Sequence, residues 1–330
     1  MIDTDGLSAQ LRAATIDLDR RRLLISRLSG SDQEVDLSEP TNCGGLGRIR
    51  HFHSATNPPW PSNPLPWLPA RTYLGEDAVP DGYASAQVFQ NAACNWRCWY
   101  CFVPFNLLRG DESRSEWVTA DELVDRYLAM PDRPVILDLS GGQPDLIPEW
   151  AVWMLRALMD RGAETTTFLW SDDNLSNDYL FRYLSDDELA LLADHPGYGR
   201  VGCLKGFDDQ SFSFNTTADP ALFDRQFELL QRIQELKPQL YLYITLTAAE
   251  YPNDARGVIE RLVDRLATIS PQLPARTVPL EVSAFTPTAP RIRPEHQAAL
   301  TVQQRMIEHW VDALSARGIT DETNTLGGPP

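Results

Sequence analysis

The chain has 330 residues, 43% of them hydrophobic, and a formal charge of −17. That length can bury an enzyme-sized core, and the negative balance argues against broad binding to nucleic acid, whose phosphates attract Lys and Arg surfaces. No stretch approaches the roughly 18 consecutive apolar residues of a membrane span, and the first residues lack the apolar centre of a secretion signal, so a cytoplasmic protein is expected.

Residues 1–85 differ in composition from the rest. A short mixed helix or strand region leads into TNCGGLGRIRHFHSATNPPWPSNPLPWLPARTYLG, rich in Pro, Gly and Asn. Prolines fix φ and remove backbone donors, which predicts an irregular arm. Trp60 and Trp67 call for packing, so the arm is read as wrapped on its own domain, with a substrate lid as the alternative. Arg48, Arg50, His51 and His53 form a compact basic cluster, suited to an anionic substrate or to salt bridges with the acidic body.

From about residue 86 the chain alternates between strand and helix patterns. SAQVFQNA reads as a strand, TADELVDRYLAM as a helix with Thr119 and Glu122 in capping-box spacing, and PVILDLS (134–140) as a strand. The helix of IPEWAVWMLRALMDRG follows, then the strand TTTFLWS (165–171) and a helical stretch from DYLFRY to LLADH, in one or two pieces. RVGCLKG (200–206), LYLYITL (240–246) and VPLEVSAF (278–285) read as further strands. Helices are predicted from Asp219 with Pro220 in the first turn, over DARGVIERLVDRLATI, and from PEHQ to residue 318. Six such units predict an α/β fold with parallel strands, either an open sheet or a partial (β/α)6 TIM-like barrel. The division is an N-terminal extension (1–85), a core (86–318) and a frayed tail (319–330).

Only five cysteines occur, and Cys94, Cys98 and Cys101 fall within eight residues, in NAACNWRCWYCFVPF. Soft thiolates so spaced suit zinc or an iron–sulfur cluster. Structural zinc wants four protein ligands. Cys43 and Cys203 stand alone and the loop holds no histidine, so three thiolates with an open fourth position fit better.

Cys94-x3-Cys98-x2-Cys101, with Tyr100 before the third cysteine, resembles the signature of the radical S-adenosylmethionine (SAM) superfamily. The resemblance covers residues of about 86–290 and is highly specific only in the cysteine loop. It implies that Cys94, Cys98 and Cys101 hold a [4Fe–4S] cluster, that the fourth iron chelates SAM, and that one electron cleaves SAM to methionine and a 5′-deoxyadenosyl radical. Tyr100 then lies near the adenine. SGGQPDL (140–146) looks like the family's GGEP segment, beside the methionyl amino group, with Gln143 in place of Glu. Gly141 and Gly142 would let the ligand approach the main chain, and Pro144 completes that turn.

Ser171, Asp172, Asp173 and Asn174 end the third strand, where Ser171 and Asp173 are candidates for the SAM ribose or carboxylate, or for helix capping. LKGFDD resembles a strand end of glycyl-radical activating enzymes. Alternation puts Val201, Cys203 and Lys205 on one face, giving Lys205 a partner in the SAM carboxylate or an acidic substrate. Cys203, about 6–7 Å below, is a candidate hydrogen-atom donor or a small buried residue. Tyr241, Tyr243, Thr245, Glu281 and Ser283 are candidate substrate contacts or packing. The chain lacks cysteines for auxiliary clusters and room for a cobalamin domain. The expected partners are a flavodoxin- or ferredoxin-like electron donor and a small polar substrate. Activation of a partner protein's glycyl radical and non-catalytic Fe–S or zinc binding stay open as alternatives.

Overall fold

In the computed structural model, the described residues are 1–53, 65–80, 83–237 and 239–319. The expectations for Trp60, for the tail from 320 and for the side chain of His53 lie outside them. The chain opens on α1 (Thr4–Thr15), capped by Asp3, then β1 (Ile16–Asp17) and β2 (Arg22–Ser26). β2 pairs antiparallel with both β1 and β5 (Ser115–Thr119) in a small sheet. The arm also supplies β3 (Gly47–His53) and α2 (Trp67–Leu74).

The main sheet has seven strands. β4 (Tyr83–Phe89), β6 (Ile136–Leu139), β7 (Phe168–Asp173), β8 (Tyr198–Leu204), β9 (Tyr241–Ile244) and β10 (Thr277–Pro279) run parallel in that spatial order. β3 pairs antiparallel with β4 on the outer edge. Strand order follows chain order without reversal, so there is no topological switch point. Right-handed crossovers then place the helices that connect the parallel strands on one face and curl the other inward, giving an α/β half-barrel rather than a doubly wound sheet.

α3 (Ala120–Leu128) starts with the expected Thr119–Glu122 capping box, and α4 (Glu149–Asp160) follows β6. The stretch after β7 divides into α5 (Tyr179–Tyr183) and α6 (Asp186–Asp194), the break falling where Ser185 caps α6. α7 (Asp209–Thr216) was not foreseen; it begins in a capping box of Asp208 with Ser211, so the acids of LKGFDD serve a helix start. α8 (Leu222–Leu236), α9 (Ala255–Ile269) and α10 (Pro294–Ala316) complete the helices. β10 ends at Pro279 instead of reaching 285: its last bond to β9 is Leu280 N to Ile244 O, and no strand among the described residues pairs on its other side. Glu281 instead accepts from Gln304 of α10, 2.7 Å away.

Two apolar clusters show the sheet's two faces. Leu137, Leu139, Leu169, Tyr198 and Leu204 pack with the helices. Ile136, Phe168, Trp170, Val201, Cys203 and Tyr243 face inward, where Leu65, Trp67 and Leu68 of the arm pack against them. Tyr243 donates to Leu65 O at 2.9 Å, and Tyr73 to Glu164 O at 3.1 Å. α2 thus fills the half-barrel's interior with apolar mass, confining polar chemistry to the strands' C-terminal ends. No helix among the described residues is long and apolar enough to cross a membrane.

Candidate functional site at the cysteine loop

The three cysteines lie beyond the C-terminal end of β4, on a loop fastened from several directions. Cys94 N donates to Leu108 O at 3.3 Å and Gly110 N to Ala92 O at 2.8 Å, closing its base. Cys101 N donates to Cys98 O at 3.0 Å, closing a tight turn around Tyr100. Trp96 packs edge-on against Phe212 and donates to Thr4 Oγ1, while Asn95 Nδ2 donates to Ser8 and Ser176 hydroxyls. Asn215 of α7 is the main fastening: its Oδ1 accepts from Trp99 Nε1 and Thr247 Oγ1, and its Nδ2 donates to the carbonyls of Lys205 and Thr247.

GGQP packs directly on this loop. Gln143 N donates to Ala93 O at 2.7 Å, and Asn91 Nδ2 donates to Gln143 O at 2.8 Å. Gly142 has φ +69°, and a Cβ there would lie 2.5 Å from Ala93 O; Gly141 (φ +89°) is similarly pressed against Gln90. The glycines' freedom therefore serves close approach of two protein segments. The Gln143 side chain is used up inside, donating to Asp173 and accepting from Asn174 N. Pro144 begins a buried 3-10 turn.

Cys94 and Cys98 are buried and Cys101 half-buried. Burial pushes the Cys94 thiol up, and lifts Cys98 to about 12, with the neighbouring thiols adding to the effect and Lys205 opposing it. Asn174 Nδ2 lies 3.8 Å from Cys94 Sγ as an N–H donor. Burial pulls Lys205 down, but Cys203, Tyr100, Cys98 and Cys94 around it outweigh that and raise its pKa. Tyr100 is buried with its hydroxyl 3.0 Å from Thr245 Oγ1, on the inner face of β9. Cys203 is buried on the same face, its thiol pushed up to about 12 by burial. Lys205, Cys203 and Tyr100 are thus brought to the cysteine loop. Cys43 is held elsewhere, against Met130 Sδ at 3.7 Å. Among the described residues, no group of three or more His, Cys, Asp or Glu side chains is arranged to hold a metal ion.

The expectations for Ser171 and Asp173 need correcting. β7 continues through Asp173, so alternation carries to its last residue. Ser171 faces the helices, hydrogen-bonded to Tyr198 at 2.7 Å. Asp173 is enclosed by Gln143, Leu175 N and Arg200, the last 3.4 Å away, and Arg200 also pairs with Asp145. Both are committed to packing on the helix side. The inward residue is Asp172, which accepts from Ser140 Oγ at 2.7 Å.

Three contributors were missed. Arg291 donates to Cys101 O and lies 4.1 Å over the Phe105 ring, and His296 stacks parallel on Trp99 with centroids 4.5 Å apart. Both belong to a segment whose only sequence signal was a helix start. Gln226, buried on α8, donates to Asn174 O and Cys203 O and accepts from Lys205 N, joining the ends of β7 and β8. Such amides on an apolar helix face carry no spacing signature.

No protein-family profile and no curated protein matches the sequence. Among solved structures, similarity is found to Streptococcus suis SuiB (16% identity, TM-score 0.48, covering 70% of this chain and 46% of that one). It is also found to SuiB bound to S-adenosylmethionine (18% identity, TM-score 0.46, covering 70% and 47%). The chain spans about half the length of that protein. No residue and no activity is carried over from it.

Proposed function

We propose that this protein is a radical SAM enzyme acting on a small polar substrate, with Cys94, Cys98 and Cys101 as ligands of one [4Fe–4S] cluster. The observation that carries this reading is the placement of Cys94-x3-Cys98-x2-Cys101 beyond the first parallel strand of a half-barrel, opposite Lys205 and Cys203 on the inner face. The donor set fits in its chemistry: three soft thiols without a competing carboxylate or imidazole in the loop, with Lys205 partly offsetting the burial that holds them protonated. When bound and reduced, such a cluster supplies the electron that cleaves SAM and so allows hydrogen to be removed from an unreactive C–H bond.

The chain's own residues fix the loop and its surroundings. Asn215 and the Gln143–Ala93 contact hold the loop's shape without a ligand, which lowers the ordering cost of binding. The Asn174 N–H toward Cys94 Sγ favours its thiolate form. Lys205 offers an ammonium to a carboxylate at the loop, and Tyr100, tied to Thr245, gives a buried aromatic surface. α2 and its apolar contacts keep water from the interior below. A flavodoxin- or ferredoxin-like protein would deliver the electron.

The test is anaerobic iron and sulfide reconstitution followed by dithionite and SAM. The expected result is about four irons per chain, a broad cluster absorbance and release of 5′-deoxyadenosine. Cys94→Ala, Cys98→Ala and Cys101→Ala should each lose all three signals. A wild-type cluster that never cleaves SAM, or cleavage surviving in a cysteine variant, would overturn the reading.

A further inference from the structure

The interior of the half-barrel holds a second group of charges, contributed in part by the arm. The β3–β4 register sets Arg48 opposite Val88 and Arg50 opposite Ala86, and Val88 in turn is paired with Asp138. Asp138 is paired with Trp170, two residues before Asp172, so these charges share the inner face. Arg50 Nη1 lies 3.3 Å from Asp138 Oδ2 and 3.5 Å from Ser140 Oγ, which donates to Asp172. Arg50 is therefore matched.

Arg48 is not. It is 8% exposed and makes no ion pair among the described residues; its Nε is enclosed without a hydrogen bond, and its guanidinium lies 5.3 Å over the Phe102 ring. Burial and the neighbouring Arg50 push its pKa down to about 10 against the attraction of Asp138 and Asp172, which still leaves it charged near neutrality. Asp138 Oδ1 and Asp172 Oδ1 are likewise enclosed acceptors without donors. A buried cation without a direct ion pair, beside two carboxylate oxygens that lack donors, is costly in the empty protein even with the attraction between them, and a ligand carrying the complementary groups would remove that cost.

We propose that Arg48 receives the carboxylate of a small amino-acid-like substrate, whose ammonium is accepted by Asp138 and Asp172. The two carboxylates disfavour a phosphate dianion, and a plain amine would leave Arg48 unmatched. The substrate class rests on the functional reading above. SAM itself carries the same zwitterionic group, so the experiment separates the two sources.

The full chain is titrated calorimetrically with each of the twenty standard L-amino acids, with SAM, and with acetate, ethylamine and inorganic phosphate as single-charge probes. At least one amino acid should bind saturably, and at least tenfold tighter than acetate or ethylamine. Arg48→Met should weaken that binding at least tenfold without lowering the ligand-free melting temperature, since it removes an unmatched charge. Arg48→Lys, which keeps the charge and loses the fork, should also weaken it while preserving the fold. SAM affinity and 5′-deoxyadenosine release without co-substrate should survive in both. No saturable amino-acid binding, tighter binding of phosphate, or a large fall in melting temperature in Arg48→Met overturns the proposal. Loss of SAM affinity in Arg48→Met assigns the carboxylate to SAM, overturning the substrate class but leaving the enzyme class intact. Absence of SAM cleavage in wild type, with amino-acid binding still lost on substitution, overturns the enzyme class alone.

Discussion

Two buried charge networks lie back to back on the same sheet, one residue apart in β7. On the helix side, Asp173, Asp145 and Arg200 close on one another, with Gln143 Nε2 and Leu175 N both donating to Asp173 Oδ1. On the inner side, Asp172, Ser140, Asp138 and Arg50 form a chain beside Arg48, which makes no ion pair among the described residues. Both hold arginines and two aspartates in low-dielectric surroundings. In the first the arginine sits between two carboxylates, with its Nε alone left without a hydrogen bond; in the second Arg48 makes no ion pair among the described residues and two carboxylate oxygens lack donors. A closed network rigidifies, whereas an open one keeps groups unsatisfied for a ligand.

That contrast can be broken by substituting the two arginines. Arg200→Leu leaves Asp145 and Asp173 buried without their cation and should cost about 3–5 kcal/mol in denaturant unfolding. Arg48→Met should cost nothing in the same measurement, and equal losses would mean the two sides do not differ in kind. The next effect is alkaline. Cys98 and Cys203 are held at about 12 in the folded cluster-free protein against an ordinary 9. Their folded pKa lies above the unfolded one, so the stability they contribute is full below about pH 9 and lost as pH rises toward 12, by a few kcal/mol. Unfolding curves at pH 8 and 10.5 should show the fall, and Cys203→Ser should reduce it. Asn215→Ala should cost about 2 kcal/mol and speed hydrogen exchange at the Trp99 amide before that of the β8 amides. The smallest effect is expected for Ser171→Ala, about 1 kcal/mol in denaturant unfolding from losing its bond to Tyr198.

The parallel strands were legible because each is a short apolar run between turn residues, and the helices because their apolar faces and caps are regular. The faces were less so. Alternation places Cys203 and Lys205 together only if one residue is anchored, and in β7 both faces are buried, so Phe168 to Asp173 reads as apolar on either parity. Ser171 and Asp173 were therefore chosen where Asp172 faces inward. The cysteine spacing could be read directly because it is local in sequence. Arg48 was visible only as part of a basic cluster; nothing local indicates that β3 joins the edge of the sheet, since that pairing depends on strand β4 more than thirty residues later.

The stacking of His296 on Trp99, and the bond from Arg291 to Cys101, have a consequence for how the protein is made. During synthesis the cysteine loop emerges nearly two hundred residues before the segment that covers its outer side. Until that segment leaves the ribosome, Cys101 lacks its lid while β4 and β6 can already pair. The outer side of the cysteine loop is therefore completed late, by residues that follow nearly the whole sheet in the chain.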